Sequence, residues 1–324
     1  MMKIAFFSTQ DLEIPFYEAE KGTHQISYFK EHLNSESIAL IQDHEAICIF
    51  VNDMLDAHNI EILKQKNLRF ILLRCTGANQ VDLAACHQAN IPIANVPNYS
   101  PHAVAEHALG LLLCLNRKYH KSYLRTRENN FELKGLLGVD LYQKTVGIIG
   151  LGAIGKVFAE ICHGLGMQVI AYDPIPQTSP VVKMTTLAQV FHSSDIISLH
   201  CPLTPKSKHI INAHAISLMK PGVFLINTSR GGLIDSKALV KGLKSQHIGA
   251  VGLDVYEQEN AVFFEDHSLD IIQDDVLMRL MTFPNVLITS HQGFLTREAL
   301  QTIAKTTFAN LNELIANNNC QHCL

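Results

Sequence analysis

Three side chains with complementary chemistry follow three apolar, β-rich runs in the second half of the chain. After Phe224-Leu225-Ile226-Asn227 comes Thr228-Ser229-Arg230-Gly231-Gly232. After Gly252-Leu253-Asp254 comes Val255-Tyr256-Glu257-Gln258-Glu259, and after Val286-Leu287-Ile288-Thr289-Ser290 comes His291-Gln292-Gly293-Phe294. Arg230 offers a planar, permanently charged fork that fits a carboxylate through two hydrogen bonds. His291 exchanges a proton near neutral pH. Glu259 beside it would favour the imidazolium and fix the ring's orientation. Any one of these alone reads as a surface loop residue. At three successive strand ends they mark one rim of a parallel sheet, because ligands of such sheets bind outside the carboxyl ends of the strands. A cation for a carboxylate and a proton donor for a ketone oxygen suit the reduction of a 2-keto acid.

The hydride source for such a reduction has its own signature upstream. Val146-Gly147-Ile148-Ile149 feeds into Gly150-Leu151-Gly152-Ala153-Ile154-Gly155, and a second apolar run, Gln168 to Tyr172, ends at Asp173. Gly150 makes the tight turn, Gly152 lets backbone approach a pyrophosphate, and Gly155 lets the helix pack closely on the sheet. That helix opens at Ala153 and Ile154, where unpaired N–H groups and the positive end of the dipole meet the anion. Asp173 can accept hydrogen bonds from both hydroxyls of an adenosine ribose and would repel a 2′-phosphate; the next basic residue is Lys183. The cofactor expected is NAD. Small-residue turns also arise for packing alone, but here strand, glycines, helix, second strand and acid arrive in order within about 30 residues.

The positioning elements follow from this. Six strand candidates run from Thr145 onward, at 145–149, 168–172, 195–199, 222–227, 248–254 and 285–290, with helical patterns such as 153–165 and 235–245 between them. That alternation predicts a doubly wound parallel sheet. The fingerprint starts late, so something else folds first: β-rich runs at 3–8, 46–51, 70–75 and 91–96 predict a smaller parallel α/β domain. Ser100-Pro101 reads as the start of a helix. An amphipathic helix from Arg297 to Leu314 would return to the first domain. The expected organisation is 1–99 and 296–324 as a substrate domain, with 100–295 as an NAD-binding domain inserted into it.

Composition narrows the class. A length of 324 residues calls for two domains, and 47% apolar with 17% charged residues suits a well-buried enzyme. A net charge of −4 leaves no electrostatic footprint for nucleic acid, and the apolar stretches are short of a membrane span. The first residues read as a strand without a signal peptide's apolar core and cleavage site, so a cytoplasmic protein is expected. Eight cysteines are scattered, mostly in apolar segments. Cys320-Gln321-His322-Cys323 has metal-like spacing but no second pair, so no metal is expected.

Taken together, the chain resembles the D-isomer-specific 2-hydroxyacid dehydrogenases, and within them the fermentative lactate branch. The resemblance spans nearly the whole chain. It rests on Leu73-Arg74-Cys75-Thr76-Gly77-Ala78-Asn79-Gln80-Val81-Asp82, Asn95 to Pro101, Ala105-Glu106-His107-Ala108, and the 227–232, 254–259 and 291–294 blocks. Phe263-Phe264 and Ile272-Gln273-Asp274-Asp275 point to the lactate branch. It implies a flavodoxin-like catalytic domain carrying an inserted NAD-binding domain, a dimer or tetramer, and reduction of pyruvate to D-lactate. Arg230 would bind the substrate carboxylate, His291 would be the acid/base and Glu259 its partner. The backbone at Thr76 and Gly77 would complete the carboxylate cradle, with Tyr99 and Phe294 lining the pocket. Asp254 and the Thr228 backbone would face the nicotinamide side, and Cys201 and Pro202 the adenosine. Three positions depart from the common pattern. Ala78 replaces a larger residue and enlarges the pocket, which keeps a bulkier 2-keto acid or glyoxylate open as substrate. Ser290 and Gly293 stand where Pro or Gly, and Ala, are usual, and are expected to change loop stiffness. An NAD-sensing binding protein of this fold is the competing class; an extended tail for partners would favour it.

Overall fold

The computed structural model describes residues 1–259 and 262–324. The chain divides into two compact units, Met1–Ser100 with Leu295–Leu324, and Pro101–Phe294.

The first unit is built on a parallel sheet of five strands: β1 (Lys3–Phe6), β2 (Gln25–Tyr28), β3 (Ala46–Ile49), β4 (Phe70–Leu73) and β5 (Ile93–Ala94). Their spatial order is β2-β1-β3-β4-β5, the flavodoxin-like order. β3 and β4 are buried at every residue, as parallel strands covered on both faces must be, which is why they read as unbroken apolar runs. β2 escapes sequence reading because it is an edge strand with no residue fully buried. Helix Arg297–Asn317 packs on β4 and on helix Ile14–Glu20, so the last segment of the chain completes this unit. At the end of β4, the buried Arg74 donates to the carbonyls of Phe7 at 2.6 Å and Ser8 at 2.5 Å. Its guanidinium lies 4.5 Å from the Phe50 ring centre. One cation thereby ties the carboxyl ends of β1, β3 and β4 together.

The second unit has seven parallel strands: β6 (Thr145–Ile149), β7 (Gln168–Tyr172), β8 (Lys183–Met184), β9 (Ile196–Leu199), β10 (Val223–Asn227), β11 (Ile248–Leu253) and β12 (Val286–Ile288). The order β12-β11-β10-β9-β6-β7-β8 is that of a dinucleotide-binding sheet with one extra strand at its far edge. β8 is the strand the sequence did not reveal; it is two residues long and pairs Ile170 with Lys183 and Ala171 with Met184. The chain reverses direction across the sheet between β6 and β9, the place where such folds open a ligand crevice. Helices Pro101–Arg117 and Ala153–Gly164 bury Leu111, Leu112, Leu115, Phe158, Ala159 and Cys162 on one face. The helices Leu187–Ser193, Ala213–Leu218, Ser236–Lys244 and Asp275–Met281 cover the other. Among the described residues no helix is long and apolar enough to cross a membrane.

Candidate active site

The glycine turn after β6 has the geometry its residue types require. Gly150 sits at φ +97°, and a Cβ there would lie 2.6 Å from the Cys201 nitrogen. A Cβ on Gly155 would lie 2.1 Å from the Gly150 carbonyl oxygen, so only glycine brings helix Ala153–Gly164 onto the turn. Gly152 differs: it caps that helix with no side chain of its own, and a Cβ there would meet no described atom within 4 Å. The space a side chain would fill lies at the helix N-terminus, where an anion is favoured. Asp173, at the end of β7, accepts the Leu151 N–H at 2.7 Å through Oδ2 and the Ile175 N–H at 2.9 Å through Oδ1. Each carboxylate oxygen keeps a further lone pair for a ribose hydroxyl.

Two more features of this rim suit a dinucleotide. The buried Thr228 Oγ1 has no hydrogen-bond partner among the described residues, an arrangement a folded chain avoids unless a ligand supplies one. Cys201, beside the Gly150 turn, accepts the Ser229 hydroxyl at 2.6 Å through its carbonyl and leads into Pro202. The glycine turn and the Arg230 loop are thus coupled. Beneath the turn, burial pushes the His200 imidazole down to about 3, so the ring is neutral; its Nε2 lies 2.8 Å from Ser198 Oγ.

Past β10, β11 and β12 come the loops that carry the three chemical groups. The register pairs Asn227 with Leu253 and Leu253 with Ile288, so the loops that follow leave the sheet as neighbours. His291 Nδ1 lies 2.8 Å from Glu259 Oε1, each side chain 13% exposed. A carboxylate only accepts, so Nδ1 carries the proton of this bond. Nε2 has no partner among the described residues and is the nitrogen left for other chemistry. Glu259 is itself held, because its Oε2 accepts the Tyr256 N–H at 2.8 Å. Arg230 lies one loop away. Asn227 Nδ2 donates to its carbonyl at 2.9 Å, and its own Nη1 donates to the Ser229 carbonyl at 2.7 Å. A Cβ on Gly231 would fall 2.0 Å from the Tyr256 carbonyl carbon and oxygen. That contact seats the Arg230 turn against the segment that delivers Glu259.

Asp254 is the hub of this corner. It is 1% exposed. Its Oδ1 accepts from Thr289 Oγ1 at 2.6 Å and from the Gln292 N–H at 2.9 Å, and its Oδ2 accepts the Gly293 N–H at 2.8 Å. His107 Nε2 lies 3.1 Å from Oδ1 and also 3.1 Å from Thr289 Oγ1. The Asp254 carbonyl takes the His291 N–H at 2.7 Å, which holds His291 in the left-handed region at φ 54°. Burial alone would raise the Asp254 pKa. The bonds from His107 and Thr289, with the charges of His107 and His291, outweigh it and hold the carboxyl below its ordinary value. Asp254 therefore steadies the loop at neutral pH, and that support is lost only as pH falls through the depressed value. A Cβ on Gly293 would come 2.9 Å from Asp254 Oδ2, so the glycine permits this close approach as well as loosening the loop.

His107 and Thr289 were not singled out from sequence. The signal for His107 was present: Glu106-His107 interrupts the apolar stripe of helix Pro101–Arg117. Thr289 falls within the strand expected at 285–290, but β12 ends at Ile288. The Thr289 N–H still pairs with the Leu253 carbonyl at 2.8 Å, while its hydroxyl has turned to Asp254.

The first unit holds Thr76, Gly77 and Tyr99. Thr76 Oγ1 donates to the Val96 carbonyl at 3.0 Å and the Pro97 carbonyl at 3.1 Å. Asn95 Nδ2 donates to the Thr76 carbonyl at 2.7 Å, and the Cys75 thiol donates to the Gly77 carbonyl at 3.2 Å. The loop's acceptors are thus tied inward. The backbone N–H groups of Thr76 and Gly77 have no acceptor among the described residues. Tyr99 is half-buried, and Phe294, in the second unit, is buried.

Residues 109–293 match the model of the D-isomer specific 2-hydroxyacid dehydrogenase NAD binding domain. The chain is 47% identical over 330 residues to 2-hydroxyacid dehydrogenase A of Aspergillus oryzae, covering 100% of this chain and 95% of that one. It is 45% identical over 324 residues to D-lactate dehydrogenase of Escherichia coli, covering 98% of each. The apo-structure of D-lactate dehydrogenase from Escherichia coli superposes with a TM-score of 0.90 at 42% identity over 100% of both chains. With the glycine turn, Asp173 and the orphan Thr228 hydroxyl suited to a dinucleotide, these likenesses make the protein an NAD-dependent oxidoreductase: it belongs to the D-isomer specific 2-hydroxyacid dehydrogenase family.

Proposed function

We propose that this protein reduces pyruvate to D-lactate with NADH. The observation that carries the reading is the 2.8 Å pair of His291 Nδ1 and Glu259 Oε1, which leaves Nε2 open on the rim of an NAD-binding sheet. The likeness to D-lactate dehydrogenase of Escherichia coli supports pyruvate as substrate. Gly150, Gly152, Ala153, Ile154 and Gly155 hold the pyrophosphate, Asp173 the adenosine ribose, Cys201 and Pro202 the adenosine side, and Thr228 and Asp254 the nicotinamide side. Bound NADH supplies a hydride to the ketone carbon, and charge develops on the ketone oxygen. The imidazolium of His291 gives its Nε2 proton to that oxygen, and Glu259 keeps the ring aligned. Arg230 pairs with the substrate carboxylate and draws charge toward the ketone oxygen. The backbone N–H groups of Thr76 and Gly77, and the side chains of Tyr99 and Phe294, are our further candidates for substrate contact. The D hand of the product is the family's.

A second substrate reading, a bulkier 2-keto acid or glyoxylate, has one observation in its favour: Ala78, half-buried beside Gly77, carries only a methyl group. We also assign the protein to the cytoplasm, where its buried cysteines stay reduced. Tyr119, Tyr123, Leu124, Phe131, Leu133 and Leu137, all exposed, form the self-association surface of a homo-oligomer. The test follows NADH loss with pyruvate, glyoxylate and larger 2-keto acids, and then the handedness of the product. Pyruvate should give the highest kcat/KM and D-lactate. A larger acid or glyoxylate preferred by tenfold or more would move the assignment to the second reading, and L-lactate would sink both.

A further inference from the structure

Cys320 and Cys323 lie outside the chemistry described above, at a turn that suits sulfur chemistry. Helix Arg297–Asn317 ends with Asn318 in the left-handed conformation, and the chain turns back through Cys320-Gln321-His322-Cys323. The Cys323 N–H donates to the Cys320 carbonyl at 3.3 Å. The Cys320 N–H donates to Sγ of Cys323 at 3.1 Å. A four-residue turn keeps its outer Cα atoms within about 7 Å, which overlaps the roughly 4.4–6.8 Å that a disulfide spans without moving the backbone. Both cysteines are partly exposed, whereas Cys48, Cys75, Cys86, Cys162 and Cys201 are buried. Among the described residues no group of three or more His, Cys, Asp or Glu could hold a metal ion.

We propose that Cys320 and Cys323 are a reversible modification site that closes an intramolecular disulfide on meeting the disulfide of a small thiol, of the glutathione type. The Cys323 thiolate attacks one sulfur of the oxidant, breaking its S–S bond and releasing one thiolate. The Cys320 sulfur, giving its proton to solvent, then attacks Sγ of Cys323 and displaces the second thiolate. Two protein thiols are oxidised, one external disulfide is reduced to two thiols, and two protons balance the exchange. The order of attack follows from the environment of Cys320. Burial, then the hydrogen bond to Cys323, pushes the Cys320 thiol up, which disfavours its thiolate as the first attacker.

The position gives the bond a structural consequence. Beyond the turn the chain adds to β5 as an antiparallel partner, Cys323 opposite Ala94, with the Asn95 N–H on the His322 carbonyl at 3.1 Å and the Leu324 N–H on the Ile93 carbonyl at 2.9 Å. β5 runs directly into Asn95, Val96 and Pro97, the residues that anchor Thr76. The disulfide would therefore staple the strand addition behind the Thr76 loop.

The full chain is equilibrated in glutathione buffers of graded ratio, quenched in acid, alkylated and mapped by mass. The tryptic peptide Thr306–Leu324 contains both cysteines and no other. At oxidising ratios it should lose two hydrogens and take no alkyl group. After dithiothreitol it should take two, and Cys323→Ser should abolish the change. A wild-type peptide that stays doubly alkylated at the most oxidising ratio, or that carries glutathione on both sulfurs without closing, overturns the proposal.

Discussion

The loop after β12 and the loop after β4 are both assigned to the substrate, yet they are built in opposite ways. Around His291 the structure is over-determined. Four donors converge on the Asp254 carboxylate, the Asp254 carbonyl fixes the His291 backbone, and Glu259 fixes the ring. Around Thr76 the acceptors are tied inward and two N–H groups point to nothing else described. The difference separates two tasks. A proton must be delivered along one direction, so the group that carries it is held to a fraction of an ångström. A carboxylate needs donors left open, and backbone N–H groups supply them without side-chain entropy.

This contrast can be broken by substitution. His291→Gln removes the proton donor but keeps a polar side chain; kcat/KM for pyruvate should fall by roughly 1,000-fold, within the range for general acid catalysis, with NADH affinity retained in fluorescence titration. Arg230→Lys should lose on the order of 100-fold, since an ammonium cannot reproduce the fork; near-normal efficiency would remove Arg230 from the mechanism. Thr289→Val deletes one donor to Asp254 without changing shape. One buried hydrogen bond is worth about 1 kcal/mol, so kcat should drop about 5-fold with the pyruvate KM unchanged. Thr76→Val loosens the open loop instead. The pyruvate KM should rise a few-fold with kcat preserved, and a fall in kcat alone would erase the distinction between the two loops.

Legibility from sequence tracked the same contrast. The glycine turn and the fully apolar strands were readable because each imposes a residue type: no other residue tolerates the 2.1 Å approach at Gly155, and β3, β4 and β9 are buried throughout. Arg230, Glu259 and His291 were readable as chemical types at strand ends, and the structure sets the last two in direct contact. The supporting layer was less readable. His107 is far from Asp254 in sequence and meets it only through the packing of helix Pro101–Arg117 on the sheet. Thr289 looked like one more strand residue. The edge strands β2 and β8 were missed because half-exposed strands need not be apolar. Local pattern reports what backbone and burial demand, and it is silent on partners that only the tertiary fold brings together.

The central claim is that His291 protonates the ketone oxygen while Glu259 holds it ready. The most direct measurement is the pH profile of kcat/KM for pyruvate reduction, with NADH and with its deuterated form, in the wild type and in Glu259→Gln. With hydride transfer shown to limit by the isotope effect, the wild-type rate should fall on the alkaline side as the imidazole loses its proton, and Glu259→Gln should lower kcat/KM because the ring is no longer held in line. A rate that stays flat through that range in both proteins, with the isotope effect intact, would contradict the claim.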